Sequence, residues 1–165
     1  MRRVHIEHPI GATLERVERA LLADATLAEL AAALPEVGRA ESLQRVEEGA
    51  VVRRVARFEA RVTPPLFRRV LVEPVLAWRE EVVWDRAMHT GTFRVVPNLV
   101  ARRASSFRCE GIYRLEARGD ATLRVVDGEL TIALGLLAHP VERLIESQLG
   151  PHFRIEAEVL ERLAR

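Results

Sequence analysis

The sequence predicts an α+β fold: a curved antiparallel sheet of about seven strands, two short helices after strand one, and a long C-terminal helix packed across the sheet. Three observations carry this. From Pro140 to Arg165 apolar residues recur at steps of three and four (Val141, Leu144, Ile145, Leu149, Ile155, Val159, Leu160, Leu163), one wide stripe that must lie against something apolar. From Val37 onward the period changes to two through a series of separate segments. The connections between those segments are of hairpin length, which only antiparallel neighbours can use.

Taken in order, Val4, Ile6 and His8 alternate with polar residues, and Pro9 is expected to stop this first strand at a sheet edge. Thr13 is placed to cap a helix from Leu14, whose inner face is Leu14, Val17, Leu21 and Leu22. Thr26-Leu-Ala-Glu29 has the capping-box pattern and opens a second short helix that ends before Pro35. Strands follow at 39–47 and 50–62 around Glu48-Gly49, with Phe58 and Arg54 on the inner face of the second. After Thr63-Pro64-Pro65, the residues Leu66, Phe67, Val70 and Leu71 fit one side of a helical turn or two, with Arg68 and Arg69 opposite. Strands at 77–86, 91–97, 105–117 and 121–134 complete the sheet, and Asp127-Gly128 reads as a bulge in the last of them. The Gly150-Pro151 pair is expected to kink or break the final helix.

At 165 residues, 48% of them hydrophobic and 30% charged, the chain fits a single domain with a proper core. Its net charge of +1 gives no broad attraction to nucleic acid, and none is expected as a partner. The chain has no lysine and all 25 of its Lys+Arg residues are arginine, as a GC-rich genome would produce. Cys109 is the only cysteine, which excludes an internal disulfide and a cysteine-based zinc cluster, and it reads as a small buried hydrophobe. Polar residues interrupt any apolar run behind Arg2 and Arg3, and the apolar stretch 130–138 is too short to span a bilayer; a cytoplasmic location is expected. No phosphate loop, nucleophile elbow or dinucleotide fingerprint is present, and no cofactor is expected. Oligomeric state has no signature.

The element order, with Ala12-Thr-Leu-Glu-Arg-Val17, Thr63-Pro-Pro-Leu-Phe-Arg-Arg69, and Gly128-Glu-Leu-Thr-Ile132 leading into Pro140-Val-Glu-Arg-Leu-Ile-Glu-Ser-Gln-Leu149, resembles the START-related helix-grip superfamily of polyketide cyclases and dehydrases, lipid-transfer domains and plant pathogenesis-related allergens. The resemblance covers essentially the whole chain and points to an uncharacterised bacterial branch. It implies a cavity between sheet and terminal helix that takes an apolar ligand; it implies no particular reaction.

Candidate site residues follow from which faces point inward. Gln148, His152 and Glu156, spaced i, i+4, i+8, fall inside the apolar stripe, where a dry core would penalise them and a pocket would not; a helix break would instead turn His152 to solvent. Glu80 lies between Trp78 and Val82 on the face that carries Trp84. There it is either an acid with a raised pKa or half of a buried ion pair with Arg54. Phe58, Trp78, Trp84, Phe93, Phe107 and Tyr113 are core by default and cavity lining in this fold. Leu66, Phe67, Val70 and Leu71 read as a lid over the pocket mouth, as packing under the sheet edge, or as a transient membrane contact helped by the flanking arginines. His152 and Glu156 have the spacing of helix-borne metal ligands but lack a third, so no metal site is expected. His5 and His8 fall on opposite faces of a strand and are no ligand pair.

The expected function is binding of a lipid-like or polycyclic apolar small molecule. The alternatives are a cyclase- or dehydrase-type enzyme using His152, Glu80 or Tyr113 as acid or base, and a protein-interaction domain with a filled cavity.

Overall fold

The computed structural model describes residues 2–100 and 106–165. The elements run β1 (Arg2–Ile10), α1 (Leu14–Leu22), α2 (Ala25–Ala33), β2 (Val37–Glu48), β3 (Val51–Ala60), β4 (Ala77–Asp85), β5 (Thr90–Pro97), β6 (Phe107–Arg118), β7 (Ala121–Ile132) and α3 (Ala138–Ala164). The expected start of the sixth strand, Ser105, lies outside the described residues. Short 3₁₀ turns lie at Pro65–Phe67 and Gly135–Leu137. The seven strands form one antiparallel sheet in the order β1-β7-β6-β5-β4-β3-β2. All three helices cover one face of it, and the core lies between.

Local chemistry explains most boundaries. The β2–β3 hairpin turns at Gly49 (φ 59°) and the β6–β7 hairpin at Gly119 (φ 63°), both in the left-handed region that glycine enters freely. β1 is an edge strand, as expected, but it extends to Ile10; Pro9 pairs opposite Leu123 and its missing donor costs nothing on the free side of an edge. Asp127-Gly128 is no bulge. β7 stays in register with both neighbours through Gly128, which pairs with Val4 on one side and Gly111 on the other. The ring of Phe93 fills the space over this glycine pair: a Cβ on Gly111 would lie 2.7 Å from it and 2.2 Å from the Asp127 carbonyl oxygen.

Two helix caps differ from expectation. Thr13 is the N-cap of α1 but makes no side-chain capping bond. α2 starts at Ala25 behind Asp24, so Thr26 lies inside the helix, buried, with its hydroxyl donating to the Ala20 carbonyl. The α1–α2 junction, not a capping box, uses that hydroxyl.

α3 runs unbroken through Gly150-Pro151, with Pro151 on the exposed side. Its N-terminal half packs Val141, Leu144 and Ile145 over the ends of β6 and β7, alongside Phe67, Val70 and Leu71. Its C-terminal half packs Phe153, Ala157, Leu160 and Ala164 against α1 and the sheet centre. Leu163, expected in the stripe, is 39% exposed. The buried line 153-156-160-164 drifts around the helix because a four-residue step overshoots one turn by about 40°. Val159 reaches a third cluster formed by α2 (Leu27, Leu30, Leu34) with Ala56 and Phe58.

Candidate functional site

Where the α2 cluster meets the central one, the chains do not fill the space. A cavity of about 30 Å³ remains, walled by α2 leucines, the β3–β4 face and α3. That is room for about one or two waters. Leu27, Leu30 and Leu34 form one wall, and Phe58 and Trp78, stacked at 5.7 Å, form another. The polar side is Arg54, Glu80, His152 and Glu156. Of the ten ligand-binding candidates, Phe58, Trp78, Glu80, His152 and Glu156 line this space.

The other five go elsewhere. Gln148 is exposed, because the same drift that brings Glu156 inward carries a residue eight positions earlier outward. Trp84 is fully buried in the central cluster, packed on Gly91, and its indole N–H donates to Glu18 (2.9 Å). Phe93 stacks on Tyr113 at 4.5 Å, and Phe107 joins the cluster at the far end of the sheet. Tyr113 lies on the same side of the sheet as the cavity without lining it. The segment Leu66, Phe67, Val70 and Leu71 packs inward: Phe67, Val70 and Leu71 are buried in the cluster with Leu134 and Val141, and none of the four lines the cavity.

The polar groups are held by specific partners. The Arg54 guanidinium donates to the Leu21 carbonyl oxygen (3.1 Å) and stands 3.8 Å from the Glu80 carboxylate, the ion pair anticipated as one alternative. Burial pushes the Glu80 pKa up, the charge of Arg54 offsets this in part, and the negative Glu156 adds to the rise. His152 donates its Nδ1–H to the Glu36 carboxylate at 2.5 Å, tying α3 to the α2–β2 connection. Burial opposes the imidazolium, but the Glu36 hydrogen bond and the charges of Glu156, Glu36 and Glu80 outweigh it, and the His152 pKa is raised. For Glu36, burial opposes the carboxylate, and the His152 bond leads the contacts that outweigh it and lower the pKa.

Arg124 and Glu36 were not among the sequence candidates. Arg124 is 1% exposed on β7, its guanidinium 5.3 Å from the ring centres of both Tyr113 and Phe153, and it pairs with Glu156 at 2.5 Å. Among the described residues its Nε has no hydrogen-bond partner, nor does Nδ1 of His8, its cross-strand neighbour. Strand parity was the available signal: Thr122, Arg124, Val126 and Leu130 share a face, so an inward β7 face obliges an inward arginine. Nothing in the sequence marks Glu36. Cys109 is half-buried in the core, and burial, then Glu80 and Glu110, push its thiol up to about 11. Among the described residues, no group of three or more His, Cys, Asp or Glu is arranged to hold a metal.

A family model described as "Protein of unknown function (DUF2505)" matches residues 5–163. The chain belongs to that family. Solved structures similar to this DUF2505 member include TTHA0849 from Thermus thermophilus (22% identity, TM-score 0.67, covering 99% of this chain and 97% of that one). The Zhui aromatase/cyclase from Streptomyces sp. R1128 is similar at 18% identity and TM-score 0.67, covering 99% and 96%. Norcoclaurine synthase from Thalictrum flavum is similar at 11% identity and TM-score 0.58, covering 98% and 85%. The DUF2505 chain therefore shares the helix-grip fold of these proteins. No curated protein sequence matches it. Among its described residues, no helix is long and apolar enough to cross a membrane.

Proposed function

We propose that this protein binds a lipid-like or polycyclic apolar small molecule carrying at least one polar oxygen, in the space bounded by the sheet, α2 and α3. The observation that carries this reading is the convergence of Arg54, Glu80, His152 and Glu156 on a void under leucine and aromatic walls. In a dry core such groups cost about 1–3 kcal/mol for each one left unsatisfied; a site that admits a polar ligand head or water uses them. The cavity, at about 30 Å³, is the closed form of the site. A ligand-sized pocket of about 300 Å³ or more requires α2 to move off α3. The polar fastenings that resist this are His152–Glu36 and Arg162–Glu29 (2.9 Å).

An acid–base enzyme is the second reading. Glu80 and His152, both with raised pKa, and the Tyr113 hydroxyl lie on one side of the sheet, and two of the similar folds are named as enzymes. The small volume favours a third, a filled interaction domain.

Native mass spectrometry of the purified protein, with titration of an environment-sensitive apolar fluorophore, separates the two ligand readings from the third. Binding predicts a co-purified mass or one saturable probe site, abolished by the cavity-filling Leu30→Trp. An empty protein that no apolar probe enters removes both ligand readings and leaves the interaction domain.

A further inference from the structure

The ends of β3, β5 and β7 and the start of α3 lie at one end of the molecule. There the 61–76 loop is pinned to the β5 terminus by the Leu71–Leu99 bridge and by the Val72 amide donating to the Asn98 carbonyl (2.9 Å). Its inward residues pack with Leu134 and Val141, which bracket the Gly135–Leu137 turn. The neighbours of these buried residues point out: Val62 is 74% exposed, Val72 68% and Leu136 98%. Arg68 and Arg69 are exposed beside them. Glu73, the only acid in that loop, is engaged by Arg57 at 2.8 Å, and no ion pair among the described residues involves Arg68 or Arg69.

We infer that this end of the protein docks on the surface of an anionic lipid bilayer, with the valine and leucine tips entering the headgroup layer and Arg68 and Arg69 meeting the lipid charge. Nucleic acid has no use for three apolar tips. A protein groove takes one contiguous ridge, whereas these tips are divided between two loops, Val62 and Val72 on one and Leu136 on the other. Apolar tips flanked by unneutralised arginines fit an interface that is greasy at depth and negative at its surface. The inference does not depend on what the cavity holds.

Co-sedimentation of the full chain with vesicles of phosphatidylcholine alone, or with roughly 30% phosphatidylglycerol as in a strongly anionic surface, tests it. Binding to the anionic vesicles that weakens as salt rises is expected. Arg68→Glu with Arg69→Glu should weaken it about twentyfold or more, since each basic group near such a surface contributes about fivefold. Val72→Asp and Leu136→Asp, both on exposed side chains, should weaken it with an unchanged melting temperature. Absence of binding to anionic vesicles, or binding that ignores all of these substitutions, overturns the inference. So does light scattering that shows a dimer dissociated by Leu136→Asp, which would assign the surface to a second copy of the chain.

Discussion

Arg124 and Glu156 form an ion pair at 2.5 Å across the contact between β7 and α3, with side-chain exposures of 1% and 11%. Tyr113 and Phe153 enclose the guanidinium, so the pair sits in a low-dielectric setting where one partner without the other is costly. Removing the carboxylate should therefore destabilise strongly. Glu156→Ala is expected to cost about 3–5 kcal/mol in denaturant unfolding, and a double Arg124→Met, Glu156→Leu variant to recover most of that. Equal losses in the single and double variants would show that the pair contributes packing and not charge compensation.

The His152–Glu36 contact makes stability depend on pH. A histidine whose pKa rises on folding contributes stability fully present below its unfolded value, 6.5, and lost as pH climbs through the folded one. A carboxylate whose pKa falls contributes stability present above its unfolded value, 4.5, and lost as pH drops through the folded one. His152→Gln should cost about 1 kcal/mol between those two limits and less on either side, measured as the difference in unfolding free energy from wild type across pH.

Glu80 follows the direction of His152 and runs opposite to Glu36. Its pKa is raised, chiefly by burial, so its contribution is most favourable below the unfolded value and declines as pH rises through the folded one. Glu80→Gln keeps the shape and removes the ionisation. Its stability relative to wild type should increase with pH, and a difference that stays flat from acid to alkaline conditions would contradict the assignment.

Two glycines give a contrasted pair. Gly111→Ala drives a methyl into the Asp127 carbonyl, Gly128 and the Phe93 ring, with the nearest atom at 2.2 Å, and should destabilise by about 1–3 kcal/mol or more. Gly150 lies in α3 with nothing within 4 Å of a built Cβ. Gly150→Ala should stabilise by about 0.5–1 kcal/mol through helix propensity. Thermal melts of the two variants read both signs.

The sequence by itself determined the order of elements, the antiparallel connections, the edge position of β1 and the inward faces of β3 and β4. Each of these rests on short-range periodicity: Phe58 and Arg54, or Trp78, Glu80 and Trp84, alternate with polar residues in a way that local geometry enforces. Periodicity says which way a side chain points, not what it meets. That is why Trp84 and Glu80, two strand repeats apart on one face, divide between dry core and cavity. It is also why Gln148, in phase by count, ends in solvent while Glu156 finds Arg124. Only the tertiary structure decided that α2 forms a wall of the site, that Glu36 reaches His152 over 116 residues of chain, and that the space left between them is small. Those outcomes depend on how three helices settle on one twisted sheet, a sum of many contacts between segments distant in sequence, and no local pattern encodes that sum.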